Sequence, residues 1–442
     1  MPSSPKLRRL ARSAALAAVA FAGGALTSQH FASATPASQS PYLPFDQMAR
    51  ALVLVENNYV DPAQRERLVD GAIKGMVSEL DPHSSYMNPA EYAQFRSDAE
   101  GKFGGIGVEV DFRDDFVTVI APIEGSPAAR AGIKPGDRIL SIDGKPLRGQ
   151  RVDRIIGLMR GEPGTKLRLG VAREGAEEPL YFELEREIVH VDSVSSKILD
   201  GGVLYLRLKQ FQETTHLELL RAVGDARRAS KQPLRGILLD MRYNPGGLVD
   251  QSELVADEFL TQGSIYSTRH RGRVLDLVEA RPGGALVELP VAIVVNEYTA
   301  SAAELVAGAL QDHGRAFVVG AKTFGKGSVQ TIFELPAGSG LKLTTMRYYT
   351  PLGRPIQAHG VIPDVLIRRA KAAEVVREAD LDGHLGAETA KQSTAPREVI
   401  DAPADAVETP PLRIDDLPGD PRTSKDFALA EAYRRLLARA KP

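Results

Sequence analysis

The amino-acid sequence predicts a multidomain protein of the α/β and β classes, with an α/β layered core, an inserted β-rich domain and a small N-terminal helical subdomain. A chain of 442 residues exceeds the size at which one hydrophobic core usually stops growing. Between residues 203 and 369, short apolar runs typical of buried strands alternate with helical periodicity. Between residues 101 and 187, short strands are instead separated by turn signals.

The first 34 residues have the layout of a secretory signal peptide. The basic residues come first: Lys6, Arg8, Arg9 and Arg12. The apolar stretch from Ala14 to Leu26 is shorter than the roughly 20 residues that span a bilayer, and Ala32 to Ala34 supply small residues for cleavage. We therefore expect an exported protein, in the bacterial periplasm, with no membrane span after signal removal. A retained signal would leave the protein membrane-associated.

Residues 35–100 are expected to form the helical subdomain. Apolar residues recur at spacings of three and four from Phe45 to Tyr59 and from Gln64 to Leu80. Pro62 and Pro82 end the two helices, because proline breaks the helical hydrogen-bond ladder.

Residues 101–187 are expected to form the β-rich domain. Its single main helix is predicted from Val152 to Met159. The predicted strands are Val117–Ala121, Arg138–Ile142, Lys166–Ala172 and Leu180–Glu185. Turn sequences such as Asp143-Gly144 separate them.

Residues 188–370 are expected to form the α/β core. The runs Gly236–Asp240 and Val291–Asn296 predict buried strands, and Glu304–Gln311 predicts a following helix. Antiparallel additions are expected at 328–335 and 341–349. Residues 371–442 are interpreted as a polar linker with a C-terminal helix at 428–438.

Composition narrows the classes of function. The absence of cysteine excludes disulfides, thiolate metal sites and cysteine nucleophiles. A formal net charge of −2 provides no basic field for nucleic acid. The G-x-S-x-G and H-E-x-x-H signatures are missing as well. We therefore expect no metal, no organic cofactor and no nucleic-acid partner.

The first segment with catalytic chemistry surrounds Ser301, between a predicted strand and the following helix. Backbone N–H groups at a helix start are unpaired and can stabilise a tetrahedral oxyanion. The alternative is structural, since Ser301-x-x-Glu304 is also a capping box that begins a helix without catalysis.

The second segment contains Lys326 between two glycines. Gly320 to Lys326 fits most of a phosphate-binding loop, but Gly327 stands where Ser or Thr would bind Mg²⁺, and a strand-like run replaces the helix. A desolvated lysine could act as a general base, because burial favours the neutral amine. The alternative is a solvated hairpin with an exposed lysine.

The third segment runs from Asp240 to Gly247. Two successive glycines can turn backbone N–H groups towards an anion. The same residues would also make an ordinary turn after a strand.

Together the three segments resemble the carboxyl-terminal processing proteases, also called tail-specific proteases. The matching stretches are Leu80–Tyr86, Asp240–Leu248, Val295–Leu310, Lys322–Gln330 and Arg347–Arg354, so the resemblance covers roughly residues 45–370. It implies a protease core in which Ser301 is the nucleophile and Lys326 the general base.

The same resemblance implies that Gln330 orients the lysine and that the N–H groups of Gly247 and Ala302 form the oxyanion hole. Whether Gly246 or Gly247 contributes stays open at this point. Thr299 stands where the family commonly has Ser, and Tyr243 where Asn is frequent.

The resemblance further assigns residues 101–187 to a PDZ domain. The predicted peptide-binding residues comprise a glycine-rich loop that feeds a strand and one face of the helix, namely Gly104, Gly105, Ile106, Gly107, Val108, Ile155, Ile156 and Met159. The alternative is a β-module that only packs on the protease core.

The sequence thus predicts an exported serine endopeptidase that selects protein or peptide substrates by their free C-termini. A homo-oligomer is expected, and an adaptor protein is a further expected partner. The rival interpretation is a catalytically silent PDZ adaptor or chaperone-like binding protein, in which Ser301 only caps a helix.

Overall fold

The structure is a computed structural model that describes residues 43–100, 102–113, 116–123, 125–150, 152–369, 375–386, 395–407 and 414–440. The predicted signal peptide lies outside these residues. The chain divides into two compact units, residues 1–73 and 74–442. Among the described helices, none has the length and apolar character to cross a membrane.

The first unit contains α1 (Leu43–Asn58) and most of α2 (Arg65–Ser78), which runs across the unit boundary. Both helices lie where apolar periodicity predicts them. The guanidinium of Arg65 pairs with the carboxylate of Glu56 at 2.6 Å, which ties the start of α2 to α1.

The second unit begins with the last residues of α2, and a turn, β1 (Ser85–Met87) and α3 (Pro89–Ala99) follow. Asn88 and Glu91 form a capping box, and Pro89 occupies the first turn, where its missing N–H costs nothing.

A β-rich domain follows, enclosed by the antiparallel pair β2 and β9. Its elements are β2 (Lys102–Gly105), β3 (Val108–Arg113), β4 (Phe116–Pro122), α4 (Pro127–Arg130), β5 (Arg138–Ile142), β6 (Lys145–Pro146), α5 (Val152–Met159), β7 (Lys166–Ala172), β8 (Leu180–Glu185) and β9 (Glu187–His190). The main sheet has the order β3-β4-β5-β7-β8, with β6 paired to β5. Apolar residues of this sheet and of α5 form a separate core, which includes Val119, Ile139, Ile155 and Leu169.

The remaining chain builds the α/β core. Its first elements are β10 (Val194–Leu199), β11 (Val203–Leu208), α6 (Thr215–Ala229), β12 (Gly236–Asp240), α7 (Val249–Asp257), β13 (Ser264–His270) and β14 (Arg273–Glu279). Its later elements are β15 (Val291–Val295), α8 (Ala302–Asp312), β16 (Ala316–Gly320), β17 (Ser328–Leu335), β18 (Ser339–Tyr349), β19 (Val365–Arg368), β20 (Glu398–Asp401) and α9 (Phe427–Arg439).

A seven-stranded sheet of order β10-β11-β12-β15-β16-β19-β20 forms the middle layer. It is parallel except for the β10–β11 pair. Strands β12, β15 and β16 are buried along their whole length, as expected for parallel strands covered on both faces. A second, antiparallel sheet has the order β1-β18-β13-β14, with β17 also paired to β18. The predicted α/β multidomain fold class is confirmed.

The region after residue 370 does more than the interpreted linker. Strand β20 extends the central sheet beside β19. Helix α9 packs on one face of that sheet, where Leu429, Ala432 and Leu436 lie in the core opposite the cluster contributed by α8. The helix lies close to the predicted bounds 428–438, whereas β20 was not predicted from the polar composition of this region.

Candidate active site

The segment around Ser301 makes a sharp turn from β15 into α8. Ser301 has φ 55° and ψ −120°, outside the regions that L-residues normally adopt. Such a backbone costs about 1–3 kcal/mol and persists only where the surroundings enforce it. The residue is 9% exposed, directly before the first helical residue, Ala302. The turn therefore places the hydroxyl-bearing residue at the start of α8. Among the described residues, the N–H of Ala302 meets no acceptor there, whereas the N–H groups of Ala303 and Glu304 are donated to carbonyls of the turn.

Glu304 connects this turn to the lysine segment. Its carboxylate accepts hydrogen bonds from the N–H of Ser301 at 2.8 Å, of Lys326 at 2.9 Å and of Gly325 at 2.8 Å. The hydroxyl of Thr323 donates to it as well. Glu304 is fully buried, and burial raises its pKa to about 7 despite these donors. Sequence reasoning identified Glu304 only as half of a capping box, since its contacts with the lysine loop are long-range.

Lys326 lies in a loop whose path depends on glycine. A Cβ at Gly327 would stand 2.1 Å from the backbone nitrogen of Gln357, so only glycine fits that approach. Burial lowers the pKa of Lys326, and the positive charge of Lys342 lowers it further. The carboxylates of Glu378, Glu304 and Asp81 oppose that shift. Release of the ammonium proton is therefore easier than for a solvated lysine.

Gln330 lies on β17 near this loop, but its amide NH₂ is directed elsewhere. It donates to the hydroxyl of Ser328 at 2.9 Å and to that of Thr344 at 3.3 Å. The predicted orientation of Lys326 by Gln330 stays a prediction.

The glycine pair after β12 faces the Ser301 turn. A Cβ at Gly246 would lie 2.8 Å from the Cβ of Ser301 and 2.9 Å from the nitrogen of Ala302. The N–H of Gly246 is already donated to Asn244 Oδ1 at 2.9 Å. Within the described chain, the N–H groups of Gly247 and Ala302 meet no acceptor. The geometry thus favours Gly247 over Gly246 as an oxyanion donor.

A buried amide holds the glycine loop and the serine turn together. Asn296 Oδ1 accepts the N–H of Tyr243 at 3.0 Å and that of Tyr298 at 3.2 Å. The hydroxyl of Thr299 donates to the Met241 carbonyl and accepts the N–H of Asn296. Through these two contacts the Thr299 hydroxyl links the turn before Ser301 to the segment after β12.

Beneath the glycine loop lies a buried ion pair. Arg242, 1% exposed, pairs with Asp240 at 2.6 Å and with Asp426 at 2.8 Å. Although burial opposes ionisation, the charge and hydrogen bonds of Arg242 hold the pKa of Asp240 below its usual value. Asp426 also caps α9 by accepting the N–H of Leu429. The C-terminal helix is therefore tied to the loop that carries Gly247.

The β-rich domain contains a pocket of about 210 Å³. Its lining includes Gly105, Ile106, Gly107, Val108, Ile156 and Met159. The N–H groups of Ile106 and Gly107 meet no acceptor within the described residues, so they can bind an anion.

Two residues predicted for peptide binding do not line this pocket. Ile155 is 3% exposed and packs in the domain core, because a step of one residue along a helix turns to another face. The Gly104 carbonyl accepts the N–H of Gly161 at 3.0 Å, and a Cβ at Gly104 would stand 2.4 Å from the Gly161 oxygen.

One group with metal-ligand chemistry occurs within the described ranges: His190, Asp192 and Glu218. The Glu218 carboxylate already accepts the N–H groups of Ser193 and Val194. His190 Nε2 contacts the same carboxylate at 3.2 Å. This hydrogen bonding accounts for the group as the contact between Glu218 of α6 and the turn between β9 and β10.

Three family models match the chain. Peptidase family S41 matches residues 202–367, a PDZ domain matches residues 118–173, and the activating protease CtpB N-terminal domain matches residues 17–90. The first covers the Ser301, Lys326 and Gly247 segments, and the second covers most of the β-rich domain.

Individual relatives match over most of the chain. The carboxy-terminal-processing protease of Bartonella bacilliformis is 42% identical over 342 residues, which cover 75% of this chain and 78% of that protein. The carboxy-terminal processing protease CtpA of Bacillus subtilis is 35% identical over 323 residues, covering 73% and 68% respectively. Among solved structures, the photosystem II D1 C-terminal processing protease is 28% identical with a TM-score of 0.46, covering 72% of this chain and 91% of that chain.

Proposed function

This chain belongs to the carboxy-terminal processing proteases of peptidase family S41, and we propose that it is an exported endopeptidase whose PDZ domain captures substrate C-termini and whose Ser301 and Lys326 cleave the peptide bond. Family membership makes the chain a serine-type peptidase with a PDZ domain. The dyad, tail recognition and export are the proposed parts.

The observation that carries the proposed dyad is the Glu304 bridge. One buried carboxylate accepts the N–H of Ser301 and the N–H of Lys326, from two segments 25 residues apart in sequence. Nucleophile and base must be held in a fixed relation for proton transfer. Glu304 supports that relation through the two backbones while leaving the Lys326 amine for chemistry.

The proposed reaction uses the hydroxyl of Ser301 and the amine of Lys326. Neutral Lys326 takes the proton from Ser301 Oγ as the oxygen attacks the substrate carbonyl, and the resulting oxyanion accepts hydrogen bonds from the N–H groups of Gly247 and Ala302. The Lys326 ammonium then gives its proton to the departing amine, leaving an acyl-Ser301 ester. Water attacks this ester after losing a proton to Lys326, and the released Oγ recovers the proton. Gln330 is proposed to orient the amine.

Tail capture is supported by the pocket in the PDZ domain. A substrate carboxylate would accept the N–H groups of Ile106 and Gly107, and the preceding residues would pair with β3. The last side chain would contact Ile156 and Met159, which line the pocket. Export rests on the N-terminal sequence pattern alone, and homo-oligomerisation stays a prediction.

The test of the dyad is labelling by a fluorophosphonate probe, which requires an activated serine. Labelling should occur in the full-length protein and be lost in both Ser301→Ala and Lys326→Ala. The matched control is Lys322→Ala, because Lys322 lies in the same loop and burial also lowers its pKa. Labelling should survive in this control. An unlabelled native protein that still binds peptide tails would instead support a silent PDZ adaptor.

A further inference from the structure

A buried carboxylate near the proposed base is not used by the mechanism above. Glu378 is 0% exposed and lies in the short 3₁₀ turn 378–380, beyond the residues matched by the peptidase model. Burial of a carboxylate is costly unless it is paired and hydrogen-bonded. The contacts of Glu378 therefore indicate which part of the molecule the turn 378–380 holds in place.

Both carboxylate oxygens of Glu378 have partners. Oε1 accepts the amide NH₂ of Gln357 at 2.7 Å, and Oε2 contacts His83 Nε2 at 2.7 Å. Gln357, itself fully buried, uses its Oε1 to accept the N–H of Gly327 at 3.0 Å. The chain Glu378–Gln357–Gly327 thus ends on the residue that follows Lys326.

The same short segment also holds the loop before Lys326. The N–H of Glu378 donates to the carbonyl of Phe324 at 3.3 Å. The guanidinium of Arg377 donates to the carbonyls of Lys322 and Thr323, at 2.8 and 2.9 Å. Residues 377 and 378 therefore fix the lysine loop on both sides of its proposed catalytic residue.

The other end of the network is the turn 81–84, near the start of the second unit. The Asp81 carboxylate accepts the N–H groups of His83 and Ser84, at 2.8 and 2.9 Å. This turn sets the position from which His83 reaches Glu378. The hydroxyl of Thr344 donates to Asp81 at 3.1 Å, which ties the turn to β18.

We propose that Glu378 and His83 are positioning residues for the general base, so that the segment 375–386 completes the active site by fixing the Lys326 loop. This inference rests on the proposed function, because it takes Lys326 as the base. It adds to the site two residues that are 295 positions apart in sequence.

The charge of Glu378 gives this role a measurable signature. Burial and Lys342 lower the pKa of Lys326, whereas Glu378, Glu304 and Asp81 oppose the shift. Although burial opposes its ionisation, hydrogen bonds from His83 and Gln357 hold the pKa of Glu378 below its ordinary value, so its negative charge is present. Its removal should let the pKa of Lys326 fall further, and removal of the Lys342 charge should let it rise.

The experiment compares Glu378→Gln, Lys342→Gln and the control Asp382→Asn in the full-length protein. Asp382 is an exposed carboxylate in the same segment. The acid limb of the pH profile of kcat/KM should move down by about 0.5–1 pH unit in Glu378→Gln and up by a similar amount in Lys342→Gln. It should stay in place in Asp382→Asn. Turnover of Glu378→Gln at its optimum should fall about 10-fold or more, while binding of a fluorescent tail peptide should be unchanged.

A second variant covers a Glu378→Gln protein that fails to fold. His83→Gln removes a half-buried partner and should lower kcat about 3- to 10-fold with KM unchanged. An unmoved acid limb with full turnover in both variants would overturn the positioning role. Complete loss of serine labelling in His83→Gln would overturn it as well, because His83 would then be acting as the base. Full labelling of Lys326→Ala would instead sink the dyad, so the two failures are distinguishable.

Discussion

The proposed catalytic site and the PDZ pocket both offer unpaired backbone N–H groups, but in different surroundings. Around Ser301 and Lys326 the backbone is fixed by buried side chains, above all Glu304 and Asn296. Around Ile106 and Gly107 the lining is mostly apolar, and the pocket is open to a peptide strand. Catalysis needs hydrogen-bond donors that are fixed before the substrate arrives. Peptide recognition needs backbone donors that stay free until the peptide binds them. Substitutions should therefore have larger effects in the first region than in the second.

The largest expected effect is that of Lys326→Ala on peptide hydrolysis. Because the proposed nucleophile and base would act as one unit, kcat should fall at least about 1,000-fold, as far as in Ser301→Ala, and the double variant should be no worse. Thermal unfolding of the variants should remain cooperative. The measurement is a steady-state assay on an unstructured peptide. Near-normal turnover in Lys326→Ala would contradict the expectation that substitutions in the proposed catalytic site have larger effects than those in the PDZ pocket.

Glu304→Gln should have the next largest effect. An amide places donors where the carboxylate now accepts from Ser301, Gly325 and Lys326, so kcat should fall about 100-fold. The free energy of unfolding should also depend on the protonation of Glu304. Since the folded pKa of about 7 lies above the ordinary 4.5, the folded state binds the extra proton between these pH values.

The stability that Glu304 contributes is therefore fully present below about pH 4.5 and is lost as pH rises through about 7, by up to about 3 kcal/mol. The difference in unfolding free energy between wild type and Glu304→Gln should show this slope in denaturant titrations. A difference that does not change with pH would contradict the burial of a titrating carboxylate at this position.

The sequence predicts the helices and strands whose signal lies within one segment of the chain. Apolar periodicity located α1, α2 and α8, and the buried runs located β12 and β15, because these signals are contained within each segment. Motif resemblance singled out Ser301, Lys326 and the glycine pair. Their mutual placement was beyond sequence reasoning, since the hydrogen bonds of Glu304, His83 and Glu378 join segments that are distant in sequence.

In the PDZ domain, the sequence predicted where the helix lies but not which of its residues face the pocket. Ile155 and Ile156 are neighbours in sequence, and both are apolar, so composition could not separate the pocket residue from the core residue. The helix geometry makes that distinction. Two experiments test the PDZ pocket directly.

The first of these tests concerns the substrate terminus. Amidation removes the charge that the N–H groups of Ile106 and Gly107 would bind and places donors against donors. Binding should weaken by about 1–3 kcal/mol, or about 5- to 150-fold. Cleavage of one unstructured peptide, with a free or an amidated terminus far from the scissile bond, should be compared at low substrate concentration. Equal rates would refute tail selection.

The smallest expected effect is that of Ile156→Ala on tail binding, and Ile155→Ala is its matched control. Ile156 lines the pocket, so truncation should weaken binding of a peptide with an apolar last residue about 3- to 10-fold, with little change in stability. Ile155 is 3% exposed in the domain core, so its truncation should cost about 2–5 kcal/mol of stability. Tail affinity of the folded Ile155→Ala domain should be close to that of wild type.

Fluorescence anisotropy with a labelled tail peptide, together with thermal unfolding of both variants, separates the two effects. If Ile155→Ala weakened binding more than Ile156→Ala at a temperature where both are folded, the peptide would contact the other face of α5, and the assigned pocket would be wrong.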